Sequence, residues 1–157
     1  MAKVIEILDG SMFTVGLGVG AGRANNRDDV TLVQYLLNLY FQHPNQARVR
    51  ELGGPDSRRL AVDGLFGPKT RKAIELFQAA IISMDNARVA LDGRVDRLRD
   101  ESRMETGDRN DFYTIFELNN YACKLNFNHY DAIDLRHRSD FPSRLIPAAN
   151  RYVSGRR

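Results

Sequence analysis

Cleavage of a glycan needs two carboxylates facing each other across a cleft, and Glu51, Glu75, Glu101, Glu105 and Glu117 are among the glutamates available for it. None stands in a sequence setting that points to a raised pKa. Metal-assisted hydrolysis would use histidines paired at i, i+4 on a helix, and His43, His129 and His137 form no such pair. His129, Asp131, Asp134 and His137 lie close enough to gather around a metal, although their spacing alone does not support it and a surface loop is the plainer reading. Cys123 falls near Phe116 and Ala122 with no base placed beside it, so a buried structural thiol is expected rather than a nucleophile. Gly16, Gly18, Gly20 and Gly22 alternate with apolar residues, which is not the spacing of a phosphate-cradling loop. The chain is therefore expected to have no catalytic residues, no metal ligands and no cofactor, and not to be an enzyme.

The side chains suited to binding sit on elements that the sequence announces. Val62-Asp63-Gly64-Leu65-Phe66-Gly67-Pro68-Lys69-Thr70 runs straight into Arg71-Lys72-Ala73-Ile74-Glu75-Leu76-Phe77-Gln78. Asp63-Gly64 combines a turn-forming carboxylate with a residue that tolerates positive φ, and Gly67 lets the chain bend again. Pro68 fits a first helical position, where a missing N–H is harmless. Ala73, Ile74, Phe77 and Ile81 then form one apolar stripe, predicting a helix from about Pro68 to Ile82, with Lys69 and Arg71 off the stripe. An earlier helix starts near Asn26 or Asp28, shows Val30, Val33, Leu37, Tyr40 and Phe41 as its apolar face, and ends before Pro44. A later one, over about 111–125, carries Phe112, Ile115, Phe116, Leu118, Ala122 and Leu125, and is apolar enough that it must pack on the other two. Between them, the mixed charges of 94–111 read as a solvated linker or surface hairpin. Residues 3–8 suggest a short strand or loose arm, and Phe13 to Arg23 a flexible, extended approach to the first helix. Pro142 and Pro147 are expected to break the end of the chain into irregular pieces from which Ile146, Ala148, Ala149, Tyr152 and Val153 can dock.

Three features in order, namely Val33-Gln34-Tyr35-Leu36-Leu37, then Asp63-Gly64-Leu65-Phe66-Gly67 through Thr70 with Ala73-Ile74 and Phe77-Gln78, then Leu91-Asp92-Gly93-Arg94-Val95, resemble the peptidoglycan-binding domain family over roughly residues 14–98. That family is a small three-helix module attached to many bacterial wall hydrolases. The resemblance implies a mainly α fold: a small three-helix peptidoglycan-binding-like bundle, here with an extra C-terminal helix and an irregular tail. The corresponding division is an N-terminal arm over 1–25, the family-like domain over 26–98, and a linker, packed helix and basic tail over 99–157. The implied function is noncatalytic binding of peptidoglycan, the stem peptide and adjoining glycan lying in a shallow groove beside the first turn. Its contacts would come from Gln34, Asp63, Gly64, Phe66, Gly67, Lys69, Thr70, Arg71 and Gln78, each of which also has a purely structural role open to it. Two departures stand out. His43 to Arg59, with Pro44, Gly53, Gly54 and Pro55, reads as an inserted loop, and Asp96-Arg97 replaces the usual continuation of the second turn. These fit a second reading, a structural or adaptor protein that reuses the fold for protein–protein contacts without binding wall.

At 157 residues and 43% hydrophobic, the chain is long enough for a real core in one domain with extensions. Its charge of +3 is uneven. Arginines 136, 138, 144, 151, 156 and 157 face the single acid Asp140, which predicts a cationic tail able to meet an anionic surface. That surface is wall polymer or a partner protein before nucleic acid, and a solvated tail that aids solubility is the equal alternative. Cys123 is the single cysteine, so no intramolecular disulfide forms. The apolar run near Met1 is too short for a secretory leader, and no segment is long enough to span a membrane. The expected setting is bacterial: synthesis in the cytoplasm, with action in the periplasm or outside the cell if a secretion system or phage-type injection apparatus, or a hydrolase partner, carries the protein there.

Overall fold

The computed structural model describes residues 1–8, 10–99, 104 and 111–156. The fold is mainly α, a small helical bundle with an added helix and two small pairs of strands. β1 (Lys3–Ile7) and β2 (Gly10–Thr14) form an antiparallel hairpin in which Lys3 faces Thr14 and Ile7 faces Gly10. β3 (Gly18–Val19) leads to α1 (Arg27–Phe41), followed by the short α2 (Ala47–Gly53) and the long α3 (Pro68–Asp85). β4 (Val95–Asp96) pairs with β3, Gly18 facing Asp96. The chain ends with α4 (Thr114–Asn126) and α5 (Ile146–Gly155).

α1 is the axis of the core. Every residue from Asp29 to Phe41 is buried, because α3, α4, α2, β3 and the turn at Ser143–Leu145 pack around it. The sequence predicted one apolar face. The difference lies in the polar residues Asp29, Gln34 and Asn38, which face packed chain rather than water. Each is satisfied by backbone: Asp29 accepts from the N–H groups of Gly16 and Leu17 at 2.9 and 3.1 Å, and Asn38 both donates to Leu60 O and accepts from Leu60 N. A buried polar side chain is tolerated when its bonds are made, and these bonds fasten three separate loops to one helix. At the junction of the three long helices, Tyr40 of α1, Phe77 of α3 and Tyr121 of α4 meet edge to face, with ring centroids 4.8–5.9 Å apart.

Several expectations are corrected by the packing. The segment from Phe13 to Arg23 is not a loose approach. Phe13, Val15 and Val19 are buried, Asp29 pins 16–17, and Asn119 of α4 bonds both the N–H and the C=O of Phe13 at 2.8 Å. The insertion after His43 is ordered as α2 between two 3-10 turns, and Arg50 donates to Phe41 O and His43 O, which satisfies carbonyls at the end of α1. Pro147 does not break the tail. It lies in the first turn of α5, where proline is compatible with a helix, and Ala148 and Ala149 are buried while Ile146 stays exposed. The cationic tail is partly neutralised within the fold, Arg138 by Asp140, Arg144 by Asp28 and Arg156 by Glu6. Most of the linker expected over 94–111 lies outside the described residues. Among the described residues no helix is long and apolar enough to cross a membrane.

Candidate functional site

The first Asp-Gly turn is held from inside the protein. Gln34, buried in the middle of α1, donates from Nε2 to Asp63 Oδ1 and Leu65 O at 3.1 Å and to Thr70 Oγ1 at 3.2 Å, while its Oε1 accepts from Gly64 N at 2.9 Å. Asp63 also accepts from Leu65 N at 2.9 Å, the local bond that makes Asp-Gly a turn former. Those backbone and amide donors hold the Asp63 carboxyl below the usual carboxylate range. Gly64 adopts a φ of +74°, and a Cβ there would stand 2.7 Å from Arg27 O. Gly67 caps α3 and Pro68 opens it, so the turn delivers Thr70 back to the same glutamine.

The second turn repeats this arrangement and adds a bond from Asp92 N to Gln78 Oε1 at 3.2 Å. Gln78 of α3 donates to Asp92 Oδ1, Arg94 O and Thr114 Oγ1 at 3.0–3.1 Å and accepts from Gly93 N at 2.9 Å, and Arg94 N bonds Asp92 Oδ1. Gly93 has a φ of +67°. In both copies the glutamine and threonine are 36 residues apart. Sequence reasoning found Asp92-Gly93 but missed Thr114 and the tie to Gln78. The common 36-residue separation was the available signal.

These bonds place the predicted site residues in two groups. Gln34, Asp63, Gly64, Thr70 and Gln78 are joined in the two networks. Phe66 is half-buried against the core, and Gly67 caps the helix. Lys69 and Arg71 are exposed on the first turns of α3. Arg71 Nε lies 2.9 Å from Glu75 Oε1, and Glu75 in turn packs against Gly93. An exposed strip thus runs from the first turn along α3 to the second, carrying Leu65, Arg71, Glu75 and Leu91. Asp96 is bound by Arg23 through a two-point ion pair that ties the second turn to the β3–α1 loop, which gives this side chain a structural task.

Groups considered for catalysis are dispersed. His129 pairs with Asp134 at 2.9 Å and His137 accepts from Arg136, and among the described residues no cluster of three or more potential ligands could hold a metal. Burial, with smaller effects of Asp131 and Asp134, pushes the Cys123 thiol up to about 12. Glu117 corrects the expectation for the glutamates: burial raises its carboxyl above the usual range, against the bond from Asn120. Glu101 and Glu105 lie outside the described residues. Among the described residues, Glu117 lines neither of two surface cavities. One, of about 400 Å³, is lined by polar and apolar groups alike and lies between the C-terminal half of α1 and the segment around Arg138. The other, of about 810 Å³ and largely apolar, lies between the hairpin and α4, bordered by Met12, Met104, Phe116, Cys123 and Tyr130. No protein-family model, no curated protein and no solved structure matches this chain.

Proposed function

We propose that this protein is a noncatalytic peptidoglycan-binding module whose contact surface is the exposed strip along α3. The supporting observation is the pair of Asp-Gly turns, each held by a helix glutamine, that flank the Arg71–Glu75 ion pair. A wall stem peptide carries carboxylates, an amine and small methyl side chains. The strip offers complementary groups: Lys69 and Arg71 for carboxylates, Glu75 for an amine, and Leu65 and Leu91 as apolar contacts. In this reading the glutamine networks make the platform rigid, and the exposed side chains between them do the recognising.

Sedimentation with purified insoluble peptidoglycan tests this. Arg71 is half-exposed, so Arg71→Ala is expected to leave stability within about 0.5 kcal/mol while weakening retention about tenfold. A turbidity assay on the same suspension is expected to show no lysis. Wild-type protein left wholly in the supernatant would sink the proposal. It would favour the second reading, an adaptor that contacts another protein, for which the apolar groove between the hairpin and α4 is the supporting observation.

A further inference from the structure

The cavity beside Arg138 has an unbalanced charge. Tyr35 and Leu39 of α1, Arg59, Val62, Arg138 and Asp140 are among the residues that line it. Arg138 and Asp140 satisfy each other: Nε and Nη2 of the arginine bond the two carboxylate oxygens at 2.9 and 3.0 Å, and Tyr35 donates its hydroxyl to the same carboxylate. The bond from Arg138 holds the Asp140 carboxyl below its usual range, so this pair is ionised and closed at neutral pH. The third Arg138 nitrogen is given to Asn126 Oδ1. Arg59 has no hydrogen-bond or ion-pair partner among the described residues. A cavity of about 400 Å³ is therefore lined by one uncompensated guanidinium.

We infer that this cavity receives the free carboxylate end of a short peptide, with Arg59 as the group that binds the carboxylate. A guanidinium offers two parallel N–H donors that match a carboxylate, and Leu39 and Val62 border the same space as contacts for small aliphatic side chains. The volume is near the lower end of the range for ligand pockets, about 300–1,000 Å³, which suits one or two terminal residues rather than a glycan chain. Tyr35, which lines the cavity, is 3% exposed with its hydroxyl already committed, so its ring gives a sugar no open face to stack on. Identifying the peptide as a wall stem peptide rests on the proposed function. The carboxylate specificity does not.

The probe is diacetyl-Lys-D-Ala-D-Ala, titrated by NMR or calorimetry in parallel with its C-terminal carboxamide. The acid is expected to bind, the carboxamide to bind at least about tenfold more weakly, and Arg59→Ala to weaken the acid by a similar factor, with the thermal midpoint unchanged because Arg59 is exposed and unpaired. Equal binding of acid and carboxamide, indifference to Arg59→Ala, or no binding at millimolar peptide would each overturn the assignment. Sedimentation with insoluble wall separates the two proposals. Arg71-dependent retention without peptide binding leaves wall binding standing and removes the cavity's role, while Arg59-dependent peptide binding without retention does the reverse.

Discussion

Gly64 and Gly93 have the same backbone conformation and the same glutamine partner chemistry, yet they are not equally replaceable. Both have φ in the left-handed region, which disfavours any side chain by about 1 kcal/mol. At Gly64 an added Cβ meets Arg27 O and Thr31 Oγ1 at 2.7 and 2.8 Å, a backbone atom and a buried β-branched side chain that cannot move aside. At Gly93 the obstacle is the Glu75 side chain, which is exposed enough to swing away. Gly64→Ala is expected to lower stability by about 2–4 kcal/mol and Gly93→Ala by about 1–2, measured by urea denaturation. Equal losses would mean that the close approach at Gly64 is not what limits it. The turn itself was legible in the sequence, since Asp63 bonds Leu65 two residues on and local chemistry reads locally. The function of Gln34 was not, because its partners lie 29 to 36 residues away and an isolated glutamine on a helix looks like surface.

The same limit governs the reading of helices. Apolar spacing located α1 and α3 closely, and α3 buries Ala73, Ile74, Phe77 and Ile81 as the stripe requires. Spacing counts apolar residues alone, however, so it assigned α1 one face when all sides are covered and its polar residues fasten loops. Pro147 misled for a related reason, since proline ends a helix from within but opens one from the first turn. The helix-to-turn networks give a direct test. Gln34→Glu replaces an amide that donates to Asp63, Leu65 and Thr70 with a group that is an acceptor alone when ionised, next to the Asp63 carboxylate. It is expected to destabilise by about 3 kcal/mol at pH 7. A buried, poorly solvated carboxyl has a raised folded-state pKa, so the loss relative to wild type should shrink as pH falls toward 4 and the new group takes up a proton. Gln78→Glu should behave alike against Asp92, Arg94 and Thr114. A loss independent of pH would show that burial of charge is not its cause.

The two ends of the chain close on the middle. Phe13 is bonded to Asn119, Ser11 to Asp131 and Ile133, and Glu6 pairs with Arg156. The hairpin also packs on α4, α5 and the turn at Ala132–His137. Asn119→Ala would leave the buried N–H and C=O of Phe13 unpaired, an expected loss of about 2 kcal/mol or more. Hydrogen exchange should then speed together in β2 and α4, and faster exchange in the hairpin alone would mark it as an independently opening arm. The repeated turn network has a further consequence for how this architecture can diversify. Its glutamine and threonine are 36 residues apart in both copies, but the turn comes 29 residues after the glutamine in the first and 14 in the second. The network specifies its end points and leaves the path between them free, and extra loop length adds little closure entropy. The length of chain between each glutamine and its turn is thus the place where a lineage or a designer can add a recognition segment while the network keeps its end points.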